Sequence, residues 1–260
     1  MAENGASAQR ASAYAEGVPC WVDAQLSDVR AGKRFYGELF GWTFDETGPG
    51  ASVWARLDGE PVAALVPKTD GRMPTVWTVY FAARDAAALT ARIREAGGQV
   101  VTPPRPVDGL GTTALVADPQ GAVFALWQPA AGTGGPSDAG GSAFAFAGFG
   151  RRHEPGTFAW AELYTRDTEA ANAFYGGLFH DALFGPGAAP DVGRAAVTDV
   201  FPAEMPPHFL VHFRVEDCEA ALGTVARLGG RVRVPPFETS YGRVAVVSDG
   251  QGASFAVLQR

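Results

Sequence analysis

The 260 residues carry 21 Lys and Arg against 28 Asp and Glu, a formal net charge of −7. Without a basic excess to neutralise phosphates, nucleic acid and anionic membrane surfaces are excluded as natural partners, which leaves small molecules or other proteins. The chain is long enough for two ordinary domains, and its two cysteines, Cys20 and Cys218, form neither a disulfide framework nor a CxxC pair.

The opening MAENGASAQRASAYAEG lacks the apolar stretch of a signal peptide, and residues 1–16 read as a disordered tail. No later apolar run approaches the ~20 residues of a membrane span, so a cytoplasmic protein is expected. The first strand alternates. With Val22, Ala24 and Leu26 beneath a helix, Trp21, Asp23 and Gln25 take the opposite face. Asp28 is placed to cap the helix that runs through AGKRFYGELFG and stops at Gly41, a residue suited to the left-handed turn past a helix end. Short strands follow in ASVWARL and EPVAALV. A further strand, carrying Thr78, Tyr80 and Ala82 on one face, leads to a second capping residue, Asp85, then a helical segment and strands in GTTALVA and AVFALWQ, with Trp127 near the end. Residues 130–156, rich in Gly, Ala and Ser, read as a linker.

The rest repeats what came before. FAWAELYTRDTEAANAFYGGLFHD matches PCWVDAQLSDVRAGKRFYGELFGW, pairing Trp160 with Trp21, Asp167 with Asp28 and Tyr175 with Tyr36. HFRVEDCEAALGTVARLGGRVRVPP matches YFAARDAAALTARIREAGGQVVTPP, and GRVAVVSDGQGASFAVLQ matches GTTALVADPQGAVFALWQ. The chain is therefore expected to be a tandem duplication, with domains at 17–129 and 157–260, and a weaker internal repeat makes four βαβββ modules. Asp28, Asp85, Asp167 and Asp217 each stand where a helix needs its cap. The glycines of GPGA and AGTGG lack the strand-to-helix context of a nucleotide loop.

Paired βαβββ modules, the FYGELFGW helix end and the closing DPQGAVFALWQP resemble the vicinal oxygen chelate superfamily of glyoxalase I, extradiol dioxygenases and bleomycin-resistance proteins. The resemblance implies an α+β fold in which each domain curls a mixed sheet into a U, with helices outside and a concave pocket inside. It also implies places for metal ligands, seven residues before each capping Asp and on the last strand. Here those places hold Trp21, Thr78, Trp160 and Leu210, and Ala125 and Ala256. None of these side chains is a metal donor, so no metal and no other cofactor is expected. A rival set exists in His212 and Glu162, two residues beyond the usual places, with His208 nearby.

Alternation puts Trp160, Glu162 and Tyr164 on the inner face of the second domain, together with Leu210, His212 and Arg214. The candidate ligand-binding set is Trp21, Asp23, Gln25, Tyr80, Trp127, Trp160, Glu162, Tyr164, His212 and Arg214. Indole planes with a few convergent polar groups suit an aromatic or polycyclic molecule. Alternatively, the Trp pair plugs each cup and the two carboxylates are satisfied by neighbouring donors. Two functional classes stay open. One is a metal-free binder of a natural product, in antibiotic resistance or biosynthesis; the other is a metal-independent isomerase, lyase or cyclase in which Asp23, Glu162 or His212 moves a proton, while a metal-dependent glyoxalase or dioxygenase is disfavoured by the substituted ligand places. Either a monomer or a homodimer fits.

Overall fold

In the computed structural model the described residues are 14–46, 48, 52–107, 109–130, 148–186, 188, 191–202 and 204–260. Most of the expected tail and linker, 1–13 and 131–147, lies outside them. The four capping aspartates start four helices: α1 (Val29–Phe40), α2 (Ala86–Glu95), α3 (Thr168–Phe184) and α4 (Cys218–Arg227). Each sits in extended backbone and accepts from N–H groups two or three residues on, at Ala31, Ala87 and Ala88, Ala170, and Ala220. A cap of this kind stabilises a helix by about 1 kcal/mol. The two helices with matching sequences end differently. Gly41 takes φ 74° and closes α1, whereas its counterpart His180 cannot adopt that turn cheaply, and α3 runs on to Phe184 across a non-helical Phe179.

The first sheet contains β1 (Pro19–Leu26), β2 (Thr43–Asp45), β3 (Val53–Leu57), β4 (Glu60–Pro67), β5 (Val76–Ala82), β6 (Gln99–Val107), β7 (Gly111–Ala117) and β8 (Val123–Pro129). Its order is β2-β3-β4-β1-β5-β8-β7-β6. Strands β1 and β4 run parallel, as do β5 and β8, while β1 and β5 meet antiparallel, so two βαβββ units join edge to edge. The second sheet contains β9 (Phe158–Thr165), β10 (Val192–Ala196), β11 (His208–Val215), β12 (Arg231–Thr239), β13 (Gly242–Ser248) and β14 (Ser254–Gln259), in the order β10-β9-β11-β14-β13-β12.

The α+β class and the two mixed sheets are as expected, with one difference. Among the described residues the third module contributes only β10 beside β9, and the chain then turns through a short 3-10 helix at Val197–Asp199. The segment after α3, GPGAAPDVGRAAVTDVFPAEMPP, is interrupted by prolines and glycines and holds one alternating run rather than three.

The FYGELF and FYGGLF helix ends pack between the two halves. Tyr36 and Phe40 from α1 gather with Trp77 from β5 against Phe213 and Phe255 of the second sheet. Phe81 and Phe124 of the first sheet pack against Tyr175 and Phe179 of α3 and Phe209 of β11. Polar contacts cross in the same reciprocal way. Tyr36 donates to Asp249 at 2.9 Å and Tyr175 to Asp118 at 3.0 Å. Gln251 clasps the backbone N–H and carbonyl of Asp28, and Gln120 those of Asp167. The helix-facing sides of both sheets thus share one core, which Trp21 and Trp127 of the first sheet also join, while Tyr164, Leu210 and Leu258 of the second sheet form a separate cluster.

Candidate functional site

Strand register decides which side chains meet on the second concave face. Trp160 lies opposite His212, Glu162 opposite Leu210 and Tyr164 opposite His208. At one end the cup is plugged, with Tyr164 packed against Phe201 at 4.8 Å and His208 at 5.7 Å between ring centroids. At the other end is a cavity of about 400 Å³. Trp160, Tyr241, Ala159 and Leu258 supply its apolar wall, and His153, Asp191, Arg214 and Arg260 its polar rim.

The wall is held from behind. The rings of Trp160 and Tyr241 stack at 5.9 Å and 30°, and both donate to one oxygen of Glu162, Trp160 Nε1 at 3.0 Å and Tyr241 Oη at 2.9 Å. Burial pushes the Glu162 carboxyl above its ordinary range, against the pull of those two hydrogen bonds. Gly193 on β10 lies beneath them. A Cβ there would stand 2.5 Å from the Trp160 ring and 2.8 Å from Glu162 Oε1, so this cradle requires glycine. The rim is fixed too. Asp191 accepts from Arg152 at 2.5 Å and pairs with His153 Nε2 at 2.9 Å, while Arg214 donates to the carbonyls of His153 at 2.6 Å and Arg260 at 2.9 Å. His153 and Asp191 hold left-handed φ values of 65° and 49°, backbone strain of the kind that marks ligand sites.

The first cup uses the same frame to a different end. Trp21 lies opposite Tyr80 and Asp23 opposite Thr78. Trp21 is buried under Trp54, 5.5 Å away, and Phe149, 5.6 Å away, and Phe149 in turn stacks on Phe158 at 4.8 Å. Tyr80 donates to Asp23 Oδ2 at 2.5 Å, and the Thr78 hydroxyl on the facing strand also supports the carboxylate. Burial raises the Asp23 carboxyl to about 6, against the Tyr80 hydrogen bond. Trp127, also buried, fills the place that Leu258 takes in the second cup.

Comparison with known proteins gives this geometry a family. The chain is 35% identical to the anthracycline biosynthesis protein DauV of Streptomyces sp. (strain C5), over 95% of this chain and 94% of that protein. Residues 21–126 match the Glyoxalase/Bleomycin resistance protein/Dioxygenase superfamily. The chain belongs to this superfamily. It is also 36% identical, over 95% of its length and 97% of the other, to CFP32 of Mycobacterium tuberculosis (strain CDC 1551 / Oshkosh), which carries a provisional glyoxylase name. Among solved structures, the fold is shared with the 2,3-dioxygenase LapB from Pseudomonas sp. KL28, at TM-score 0.60 and 14% identity over 96% of this chain and 94% of that one.

A metal of the superfamily's kind does not fit the residues present. The superfamily's ligand places hold the indoles of Trp21 and Trp160, the hydroxyl of Thr78, and the hydrocarbon of Leu210, Ala125 and Ala256. Among the described residues no three His, Cys, Asp or Glu side chains converge as a metal shell. The rival set fails on geometry, since one Glu162 oxygen is taken by two donors and His208 turns its Nδ1 to the Pro206 carbonyl at 2.9 Å.

Of the residues singled out in the sequence, Trp160 and Arg214 line the cavity, with Glu162 and the fully buried His212 behind its wall. Tyr164 belongs to the plugged end. Trp21, Asp23, Gln25, Tyr80 and Trp127 belong to the other sheet, so the ten do not form one site. Tyr241, Asp191, His153 and Gly193 were not foreseen. One signal for Tyr241 was available, because it replaces Leu110 just where the two copies diverge in FETSYG and VDGLG.

Proposed function

We propose that this chain binds a flat aromatic or polycyclic natural product in the second cup without the help of a metal, as an accessory to the biosynthesis of an antibiotic or to resistance against it. The observation that carries the reading is the cavity of about 400 Å³ walled by the stacked Trp160 and Tyr241. Two large aromatic faces give a ligand apolar area and stacking, and the fixed rim supplies orientation. The likeness to anthracycline biosynthesis proteins favours a fused-ring compound. Proposed with it are a cytoplasmic location, no nucleic acid or membrane partner, and a monomer or homodimer. Among the described residues no helix is long and apolar enough to cross a membrane.

Titrating the intrinsic Trp fluorescence with anthraquinone and an anthracycline aglycone tests the reading. Saturable quenching at micromolar midpoints supports it, and a flat response to every fused-ring compound ends it. A second reading, a metal-independent isomerase, lyase or cyclase, is favoured by the raised carboxyls of Glu162 and Asp23. In that case Glu162→Gln abolishes turnover of a compound whose binding it only weakens, or Asp23→Asn abolishes turnover with binding unchanged.

A further inference from the structure

His153 and Asp191, both on the rim of the cavity, form a hydrogen-bonded pair that the readings above leave unused. Both are held in left-handed backbone, and both are tied to β9, the strand that carries Trp160. The N–H of His153 donates to the Phe158 carbonyl at 2.8 Å, and the Asp191 carbonyl accepts from the N–H of Ala161 at 3.0 Å. The first half has no counterpart of the pair. Strand register places Val62 where Asp191 stands, two residues before the strand partner of Asp23 or Glu162, and the offset of the repeat places Tyr14 where His153 stands.

The pair has the chemistry of a proton-transfer dyad. A carboxylate can only accept, so His153 Nε2 carries its hydrogen towards Asp191 Oδ1, 2.9 Å away, and in the neutral ring Nδ1 holds the lone pair. Among the described residues Nδ1 has no hydrogen-bond partner, and nearly half of the His153 side chain is exposed. Arg152 holds the second oxygen of the buried Asp191, which fixes the carboxylate's orientation. An imidazole base backed by a carboxylate that steadies the imidazolium it becomes recurs on unrelated folds. Arg214 and Arg260 place positive charge on the same rim, where it favours negative charge developing on a ligand oxygen.

We propose that His153 is a general base for a flat carbon acid bound against Trp160 and Tyr241, with Asp191 as its positioning residue. A C–H bond conjugated with a carbonyl breaks, its proton passes to His153 Nδ1 and its electron pair to the carbonyl oxygen. Return of that proton to the same or another carbon completes an exchange or an isomerisation with no co-reactant. The proposal rests on the aromatic cavity of the first reading and gives the second reading a base on the rim of that cavity.

Anthrone, a tricyclic ketone with an acidic methylene, tests it on the full chain. Exchange of the methylene hydrogens for deuterium is followed by NMR in deuterated buffer under argon, and binding by Trp quenching with anthraquinone. The protein is expected to speed exchange at least about 100-fold over buffer, the lower end of what a positioned base contributes. His153→Gly and Asp191→Asn suit the site because glycine and asparagine accept left-handed backbone, and both should keep the quenching. His153→Gly should fall to the buffer rate and regain exchange with added imidazole, beyond the effect of imidazole on free anthrone. Asp191→Asn should lower the rate at saturating anthrone more than it shifts the midpoint. Quenching without faster exchange, or exchange undiminished in His153→Gly, overturns the proposal and leaves aromatic binding standing; neither quenching nor exchange overturns both.

Discussion

The two cups begin from the same strands, and only the second carries the cavity described above. In the first, Trp127 fills the place of Leu258, and Phe149 covers Trp21. In the second, Leu258 leaves room, and Tyr241, standing where the first half has Leu110, turns a hydrocarbon corner into an aromatic wall tied to Glu162. The carboxylates follow suit. Asp23 is bonded by a tyrosine of its neighbouring strand, whereas Glu162 is bonded by the two aromatics that face the cavity. The strand frame recurs in both halves, and the side chains that differ on it, Trp127 against Leu258 and Leu110 against Tyr241, fall where the second half lines its cavity.

The sharpest way to break this comparison is to remove each tryptophan in turn. Trp160→Ala is expected to weaken an aromatic ligand about 100-fold, as loss of a central aromatic anchor does. Trp21→Ala should leave affinity unchanged and lower stability by about 3–5 kcal/mol, the usual cost of emptying a buried indole site. Denaturant melts and fluorescence titrations read both, and an exchange of the two outcomes would reverse the roles of the cups. Leu258→Trp imports the first cup's plug; affinity should fall at least ten-fold, with about 1–3 kcal/mol of overpacking.

A pH series distinguishes the carboxylates. Because Asp23 has its folded pKa raised to about 6 from 3.8, protonation favours the fold. That contribution is complete below about pH 4 and is lost as pH rises through about 6. Asp23→Asn should flatten this limb of the stability curve without changing ligand affinity, whereas Glu162→Gln should also loosen Trp160 and Tyr241 and weaken binding. The smallest effects are expected at the interface. Tyr36→Phe and Tyr175→Phe each lose one bond to a carboxylate, about 1–2 kcal/mol by denaturant melt, and Tyr36→Phe should cost more because its hydroxyl also accepts from Trp77 Nε1 at 3.1 Å, a donor that the substitution leaves buried and unmet.

Much of the frame was legible from the chain alone. The four capping aspartates, the stop at Gly41 and the alternation of Trp160, Glu162 and Tyr164 are local signals, fixed by neighbours within a few residues. What escaped was non-local or was carried by turns. That the segment after α3 forms only β10 among the described residues could have been suspected from its prolines, but the internal repeat argued for a full module. Tyr241, Asp191 and His153 reach the cavity from a turn or from left-handed backbone, where a period of two assigns no face. The role of Tyr36 and Tyr175 depends on residues more than 50 positions away, Asp249 and Asp118, so the pattern of either helix could announce burial and no partner.

The crossed tyrosine and aspartate contacts have a practical corollary for anyone seeking a minimal binder. Severing the chain between Ala130 and Gly148 would strip two aromatic surfaces of their cover at once, since each half supplies the lid of the other's hydrophobic cluster. Calorimetry of the intact protein should accordingly record a single cooperative transition, and an isolated C-terminal fragment should aggregate rather than serve as a trimmed receptor.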